Sequence, residues 1–329
     1  MLEIYGTLGP ACGNVDTLAQ MLELGMTGVR LNLSHVSLAE AEPMVEALQQ
    51  AAQRVGVQPR LLIDMQGPEI RVGAMNGPTH LIEGKNILLD QPGGIPLPRV
   101  ITDILQPGME LWMDDGKLRV DVFRVHGGLR GRVIRGGVLQ SRKSVAIPGV
   151  DLWLPALTET DRENLRAAKD YGVTGVMQPF VRCREDLEAV RAALRESGCG
   201  GLRLFAKIEN RTGLDKLPEL LPACDEVVIA RGDLGNAVPL WELPRVQKEI
   251  AALCRRHRKP FMVVTQMLAS MEQNPVPTRA EVSDIFNAVL DGASSVMVTG
   301  ETAAGRHPVE VMRYLVKTAR EAEQYRRKG

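Results

Sequence analysis

Hydrophobic residues recur along this chain in two alternating patterns. Short apolar runs rich in β-branched residues are followed by longer segments with the spacing of an amphipathic helix. Strand followed by helix, repeated along a chain, is typical of parallel βαβ units rather than of a β-sandwich or a helical bundle. The eight predicted strands begin at Glu3, Gly28, Arg60, Gly175, Leu202, Glu226, Pro260 and Ser294.

The segment after the third predicted strand departs from this pattern. From about Val72 to Ile147 the chain is rich in Gly and Pro, lacks clear helical periodicity and contains short runs such as KNILLD and GRVIRG. These features predict a small inserted β domain. The helical pattern resumes at LTETDRENL, where Thr158 and Asp161 have the spacing of a capping box.

Together these patterns predict an α/β chain with a (β/α)8 TIM barrel. A length of 329 residues accommodates a barrel of roughly 250 residues and an insertion of several tens. We predict that residues 1–72 form the first part of the barrel and residues 147–329 the second part. Residues 73–146 are predicted to form an inserted small β-barrel lid domain after the third strand.

Charge and cysteine content narrow the class of partner. The chain has 40 Lys and Arg against 40 Asp and Glu, so no overall field favours nucleic acid or an anionic membrane. Its 5 cysteines show no close CxxC pairing, which favours reduced thiols. The amino terminus has no signal-peptide pattern and no apolar run has the length of a membrane span. We expect a cytoplasmic protein that acts on small molecules.

Polar residues follow several of the predicted strands where those strands end. The carboxyl ends of barrel strands form the open mouth of the barrel. Side chains two residues apart on a strand share a face. The strand ends carry Arg30, Asn32 and Ser34; Asp64 and Gln66; Lys207 and Glu209; and Arg231 and Asp233. We expect these groups to converge on one mouth, because charges gathered there without a function would be costly.

The residue types at this mouth suit transfer of a phosphoryl group. Glu209 and Asp233 follow adjacent predicted strands and offer the hard oxygen ligands that Mg²⁺ or Mn²⁺ prefers. Lys207 and Arg30 are donors of the kind that stabilise a transferring phosphoryl group. The alternative is an ion-pair network, Lys207 with Glu209 and Arg231 with Asp233, that holds the rim without catalysis.

Ten motifs in order along the chain resemble the pyruvate kinase family: TLGPAC, VRLNLSH, DMQGPEIRVG, DDGKLRV, LPALTETD, AKIEN, ARGDLG, VVTQML, PTRAEVSDIFNAVLDG and VTGETA. The resemblance implies transfer of a phosphoryl group between phosphoenolpyruvate and ADP, giving pyruvate and ATP. It also implies bound Mg²⁺ or Mn²⁺, a homo-oligomer formed through the barrel, and a lid that closes to exclude water. The sequence predicts no nucleic-acid or membrane partner.

The resemblance also assigns roles to individual residues. It makes Lys207, Arg30 and Thr265 catalytic, with Thr265 beside the path of proton delivery, and it makes Glu209 and Asp233 the ligands of Mg²⁺. The remaining assignments are substrate binding by Gly232, Asp233 and Thr265; nucleotide binding by Arg30, Asn32, His35, Arg71 and Lys143; and K⁺ binding by Asn32, Ser34, Asp64 and the backbone carbonyl of Met65.

K⁺ dependence is where the chain departs from the common family pattern. Many members have Asp-Thr-Lys-Gly-Pro-Glu where this chain has DMQGPE at 64–69. Glu69 resembles the members that need K⁺, whereas Met65, Gln66 and Val72 resemble members in which a lysine at the position of Glu69 replaces the ion. The missing lysine favours a K⁺ requirement, because some positive charge must take its place.

Other departures concern the nucleotide and the proton. The usual Gly and Asn of a lid motif are Ser144 and Ala146, a usual Ser is Pro179, and a usual Lys is Ala304. We also expect the family's C-terminal domain, with its effector site, to be absent, which makes this a short form. Two alternative functions stay open: a metal-dependent lyase or aldolase that stabilises a pyruvate enolate, and a non-catalytic paralogue that binds a metabolite.

Overall fold

The computed structural model describes residues 2–34, 36–114, 116–125, 128–150 and 152–328. The chain divides into two compact units. Unit 1 comprises Met1–Pro68 and Leu154–Gly329, and unit 2 comprises Glu69–Trp153.

The strands, in chain order, are β1 Glu3–Thr7, β2 Gly28–Asn32, β3 Arg60–Asp64, β4 Thr79–Leu81, β5 Asn86–Leu88, β6 Glu110–Met113, β7 Leu118–Val125, β8 Gly128–Arg135, β9 Gly137–Leu139, β10 Val145–Ala146, β11 Gly175–Gln178, β12 Arg203–Ile208, β13 Glu226–Ala230, β14 Phe261–Val264 and β15 Ser295–Met297.

The helices are α1 Val15–Leu24, α2 Glu42–Val55, α3 Arg99–Thr102, α4 Glu159–Ala167, α5 Arg184–Glu196, α6 Arg211–Asp215, α7 Leu217–Leu220, α8 Arg231–Ala237, α9 Leu243–Arg256, α10 Arg279–Leu290, α11 Gly300–Ala303 and α12 Pro308–Lys328, with short 3-10 helices at Leu221–Ala223 and Ala269–Glu272. Among the described residues, no helix combines the length and apolar character needed to span a membrane.

The strands of unit 1 close into a parallel barrel in the order β1-β2-β3-β11-β12-β13-β14-β15 and back to β1. This confirms the predicted (β/α)8 barrel and all eight of its predicted strands, whose observed starts differ from the predictions by at most one residue. The predicted capping box is also present at the start of α4, where Thr158 accepts the N–H of Asp161 and Asp161 accepts the N–H of Thr158.

The barrel is filled by one face of each strand. Inward-facing side chains form a compact cluster of their own: Tyr5, Leu62, Met177, Phe205, Val228, Ala230, Met262, Val264 and Met297. Alternate residues, such as Leu204 and Ile208 of β12, belong to the separate core between strands and helices. Because side chains alternate along a strand, Lys207 faces the same interior as Phe205, one step nearer the carboxyl end.

Unit 2 is built from antiparallel strands. Five of them form a sheet in the order β10-β6-β7-β8-β5, and β4 pairs with β9. Buried side chains such as Leu111, Val120 and Val133 form its own hydrophobic core. The prediction of a small closed barrel is not confirmed, since the strands that the structure describes in this unit form two separate sheets. Hydrogen bonding between β5 and β10, the edges of the larger sheet, would be needed to close it.

Candidate functional site

Lys207 lies between two buried carboxylates at the carboxyl end of the barrel. Its Nζ is 3.1 Å from Asp64 Oδ2 and 3.0 Å from Glu209 Oε1. Burial disfavours the charged ammonium, but attraction to Asp64 and Glu209 outweighs it and raises the pKa of Lys207. The side chain is therefore a fixed cation at neutral pH. Glu209 directly follows β12, and its contact with Lys207 matches the prediction that these two residues, two apart at the strand end, share a face.

Asp64 is the shared anion of this arrangement. Its Oδ2 accepts Arg30 Nε at 3.0 Å and Arg30 Nη2 at 2.6 Å, in addition to the contact with Lys207. Burial alone would raise the pKa of Asp64, but the charges of Lys207 and Arg30 outweigh burial and lower it. Arg30, Asp64, Lys207 and Glu209 thus form a continuous central ion cluster, contributed by the ends of β2, β3 and β12.

The role of Asp64 in this cluster was not predicted. The family resemblance assigned Asp64 to K⁺, and the strand period placed it beside Gln66. In the structure β3 ends at Asp64, and the N–H of Gln66 donates to Asp161 at 2.9 Å. Lys207 reaches Asp64 across β11, which lies between β3 and β12 in the barrel. The period of side chains along one strand carries no information about a contact between strands that are not neighbours.

Glu209 is oriented by a backbone group. The N–H of Phe180 donates to Glu209 Oε2 at 2.8 Å, so each carboxylate oxygen of Glu209 has a partner. Phe180 follows β11 and has a φ of 51°, the left-handed region that is unfavourable for a bulky residue. This contact holds the carboxylate in one orientation. Its only signal in the sequence is the position of Phe180 after a strand.

Thr265 lies beside the glycine of the ARGDLG motif. A Cβ atom placed on Gly232 would lie 3.1 Å from Thr265 Cγ2 and 3.7 Å from Thr265 Oγ1. The structure therefore brings together Thr265 and Gly232, two of the predicted substrate-binding residues. Asp233 lies in the first turn of α8, one residue further on. These residues follow β13 and β14, which are neighbours in the barrel.

The prediction for Arg231 was wrong. It assumed that Arg231 and Asp233 lie on a strand and point into the mouth, but β13 ends at Ala230 and both residues lie in α8. Residues two apart on a helix face different directions. The guanidinium of Arg231 instead makes an ion pair of 2.7 Å with Asp284 on α10.

Comparison with known sequences agrees with this architecture. The protein family described as "Pyruvate kinase, barrel domain" matches residues 1–312. The chain belongs to the pyruvate kinase family.

Proteins named pyruvate kinase from Geobacillus stearothermophilus, Aeropyrum pernix and Corynebacterium glutamicum are 38%, 38% and 39% identical to the chain. Each alignment covers 98% of this chain, but 57%, 70% and 69% of the three relatives in the same order. The chain thus spans little more than half of the length of the Geobacillus relative.

The carboxylates at the mouth of the barrel suit a hydrated divalent ion. No group of three or more His, Cys, Asp or Glu side chains able to hold a metal occurs within the described residues. Mg²⁺ and Mn²⁺ do not need such a cage, because one or two carboxylates with water and substrate oxygens complete their coordination. Glu209 and Asp233 follow the neighbouring strands β12 and β13 and supply that number of carboxylates.

The residues assigned to K⁺ lie partly together in unit 1. Asn32 and Asp64 are register partners at the ends of β2 and β3, and Asn32 Oδ1 accepts the N–H of Ser34 at 3.2 Å. Met65 follows Asp64 and is buried. Asp64 is already paired with two cationic side chains, so its charge is not available to K⁺ alone.

The predicted nucleotide residues fall on both units. Arg30 and Asn32 lie on β2 of unit 1, whereas Arg71 and Lys143 belong to unit 2. Within unit 2, Arg71 is 2.5 Å from Glu69 and Lys143 Nζ is 2.9 Å from Asp114. His35, the remaining nucleotide residue, lies outside the described residues.

Proposed function

We propose that this chain transfers a phosphoryl group between phosphoenolpyruvate and ADP, giving pyruvate and ATP. The observation that carries the proposal is the central ion cluster, in which Lys207 stands between Asp64 and Glu209 at the mouth of the barrel. Membership of the pyruvate kinase family supports the choice of these substrates. The chain matches 57% of the length of the Geobacillus relative.

The two cations of the cluster would bind the phosphoryl group during its transfer and neutralise its charge. Arg30 and Lys207 are held by Asp64 before substrate binds, so their positions need no reorganisation when negative charge develops. An incoming phosphoryl group would share or displace Asp64 as the acceptor of these donors. Because both cations are partly shielded from water, their attraction to the phosphoryl group would be stronger than at an exposed surface.

Glu209 and Asp233 would hold Mg²⁺ or Mn²⁺. When bound, the ion supplies Lewis-acid polarisation of substrate oxygens. The N–H of Phe180 and the ammonium of Lys207 would keep Glu209 in place for this role. Thr265 lies beside Gly232. We propose that it lies on the side of the enolate from which the proton is delivered.

The remaining assignments stay predictions. We propose nucleotide contacts for Arg30, Asn32, His35, Arg71 and Lys143, and K⁺ as an activating ion. A homo-oligomer formed through the barrel also remains a prediction.

The deciding experiment is a coupled assay of pyruvate formation. Phosphoenolpyruvate, ADP and Mg²⁺ are supplied, with K⁺ and with a large organic cation in its place. We expect turnover that requires both substrates and the divalent ion, with higher activity in K⁺. Cleavage of an oxo-acid without any transfer would favour a lyase, and binding of phosphoenolpyruvate without turnover would favour a non-catalytic protein.

A further inference from the structure

Thr265 and Gln266 adopt a backbone conformation that needs support. Their φ angles are 79° and 55°, in the left-handed region that favours glycine. A β-branched residue such as Thr265 is an outlier there, because its side chain crowds the backbone in this region. Such residues persist only where neighbouring groups fix them.

Arg231 contacts this turn directly. Its Nη2 donates to the carbonyl oxygen of Thr265 at 2.6 Å, and its Nε donates to the same oxygen at 3.2 Å. Nε also lies 3.3 Å from the carbonyl oxygen of Val264, the last residue of β14. The guanidinium therefore holds both carbonyls on either side of the point where the strand turns.

Arg231 is itself fixed on its other side. Nη1 donates to both carboxylate oxygens of Asp284 on α10, at 2.8 Å and 2.7 Å. Only 12% of the Arg231 side chain is exposed, so these contacts are partly shielded from solvent. Since Arg231 opens the helix that carries Asp233, the guanidinium ties the loop of Thr265 to the segment bearing a proposed metal ligand.

We propose that Arg231 is a positioning residue that fixes the Thr265 hydroxyl beside Gly232. It acts through the Thr265 carbonyl and touches no reacting atom. Arginine suits this task because its planar fork can donate to the carbonyls and to Asp284 at once, which the single ammonium of lysine does not reproduce with the same geometry. The functional part of this inference rests on the proposed phosphoryl transfer.

The test uses Arg231→Lys and a matched control. Arg191 also donates to a carbonyl, that of Leu202, and pairs with an aspartate, Asp225, at 2.6 Å. It lies on α5, and its partners lie in the segments that lead into β12 and β13, at the end of the barrel away from the mouth. Arg191→Lys therefore removes a comparable pair of guanidinium contacts without affecting the Thr265 turn.

We expect Arg231→Lys to lower kcat by about 10- to 100-fold, with KM for phosphoenolpyruvate changed less than about 3-fold. Arg191→Lys should leave both near wild type. In a Thr265→Ala background, Arg231→Lys should lower kcat by less than about 2-fold, because no hydroxyl remains to be positioned. Equal kcat values for the two lysine variants would overturn the proposal, as would an undiminished effect in the Thr265→Ala background.

Amide hydrogen exchange supplies a readout that needs no turnover. Peptides covering residues 264–268 should exchange faster in Arg231→Lys than in Arg191→Lys, while other segments match. If the wild-type chain transfers nothing, the proposed function fails, and equal exchange in this segment would separately refute the positioning role. Should Arg231→Lys not fold, Asp284→Asn weakens the same anchor, and faster exchange at 264–268 is expected there too.

Discussion

Lys207 shows how individual side chains can remain charged while buried. Its ammonium and the guanidinium of Arg30 balance the carboxylates of Asp64 and Glu209, so the central ion cluster carries no net formal charge. Removing one member leaves the cluster with an unbalanced buried charge, which is far more costly than losing an exposed ion pair. Both cations are already positioned for an anionic substrate, but that substrate would compete with Asp64 for their hydrogen bonds.

Lys207→Met should separate transfer from metal binding. It removes the cation opposite the phosphoryl group while leaving Glu209 and Asp233, so we expect kcat to fall by about 10³-fold or more with Mn²⁺ affinity retained. Coupled assays and calorimetric titration with Mn²⁺ measure the two quantities. Lys259→Met is the control, because Lys259 donates to the carbonyl of Cys224, in the segment that leads into β13. Full activity of Lys207→Met would contradict the assigned role.

Glu209→Gln should have the reverse profile. The amide retains a hydrogen-bond acceptor for Phe180 but loses the charge that a divalent ion needs. We expect Mn²⁺ affinity to fall by about 10- to 100-fold, with transfer recovering partly at high metal concentration. Calorimetry with Mn²⁺ alone is the direct measurement. Unchanged affinity would remove Glu209 from the metal site.

The sequence predicted some of these contacts and missed others for identifiable reasons. Lys207 and Glu209 were paired correctly because they lie two apart at the end of β12. Arg231 was misplaced because the strand ends one residue before it, and the helical start changes the direction of its side chain. The N–H of Phe180 could not be predicted, since backbone donors have no signature in the residue type.

At the scale of elements, the ends of helices were predicted best where side chains cap them. The capping box at α4 was recognised from Thr158 and Asp161 alone, because reciprocal hydrogen bonds need only local spacing. The structure adds that Asp161 is fully buried and also accepts the N–H groups of Gln66 and Gly67, which follow β3. One carboxylate thus fixes both a helix start and the strand end next to Asp64.

Asp161→Ala should therefore destabilise the chain more than loss of an ordinary cap. Three backbone N–H groups, those of Thr158, Gln66 and Gly67, lose their acceptor, and we expect a cost of about 3 kcal/mol. Glu281→Ala is the control, since Glu281 caps α10 in the same way but lies nearer to solvent and accepts two backbone N–H groups, those of Thr278 and Ser270; about 1–2 kcal/mol is expected. Urea unfolding measures both. A cost for Asp161→Ala no greater than that for Glu281→Ala would contradict the argument.

At the scale of the whole molecule, the barrel could be predicted because eight repeated strand and helix patterns admit few other architectures. The arrangement inside unit 2 could not, since short strands in a Gly-rich segment do not determine which edges pair. A second polar cluster inside the barrel, at the amino ends of its strands, was also not predicted from the sequence. There Arg203 pairs with Glu3 at 2.9 Å and with the fully buried Glu226.

This amino-end cluster should make barrel stability depend on pH with two opposite signs. Burial raises the pKa of Glu226, and this effect outweighs the hydrogen bond from Ser295 and the charge of Arg203, which lower it. For Glu3, hydrogen bonds from Tyr5 and Arg203, with the charges of Arg203 and Arg60, outweigh burial and lower the pKa. Stability linked to Glu226 is thus full below its unfolded pKa of about 4.3 and is lost as pH rises through the folded value. Stability linked to Glu3 is full above about pH 4.3 and is lost as pH falls.

Glu226→Gln and Glu3→Gln test these signs in one experiment. Relative to wild type, Glu226→Gln should gain stability as pH rises from about 4 to 7.5, because the neutral amide avoids burying a charge. Glu3→Gln should lose stability over the same rise, by about 1 kcal/mol at neutral pH, because a charge-assisted hydrogen bond is weakened. Urea unfolding at constant ionic strength across this range gives both differences. If the two differences changed with the same sign, Arg203 would not distinguish the carboxylates as the geometry implies, and burial would not be the dominant influence on Glu226.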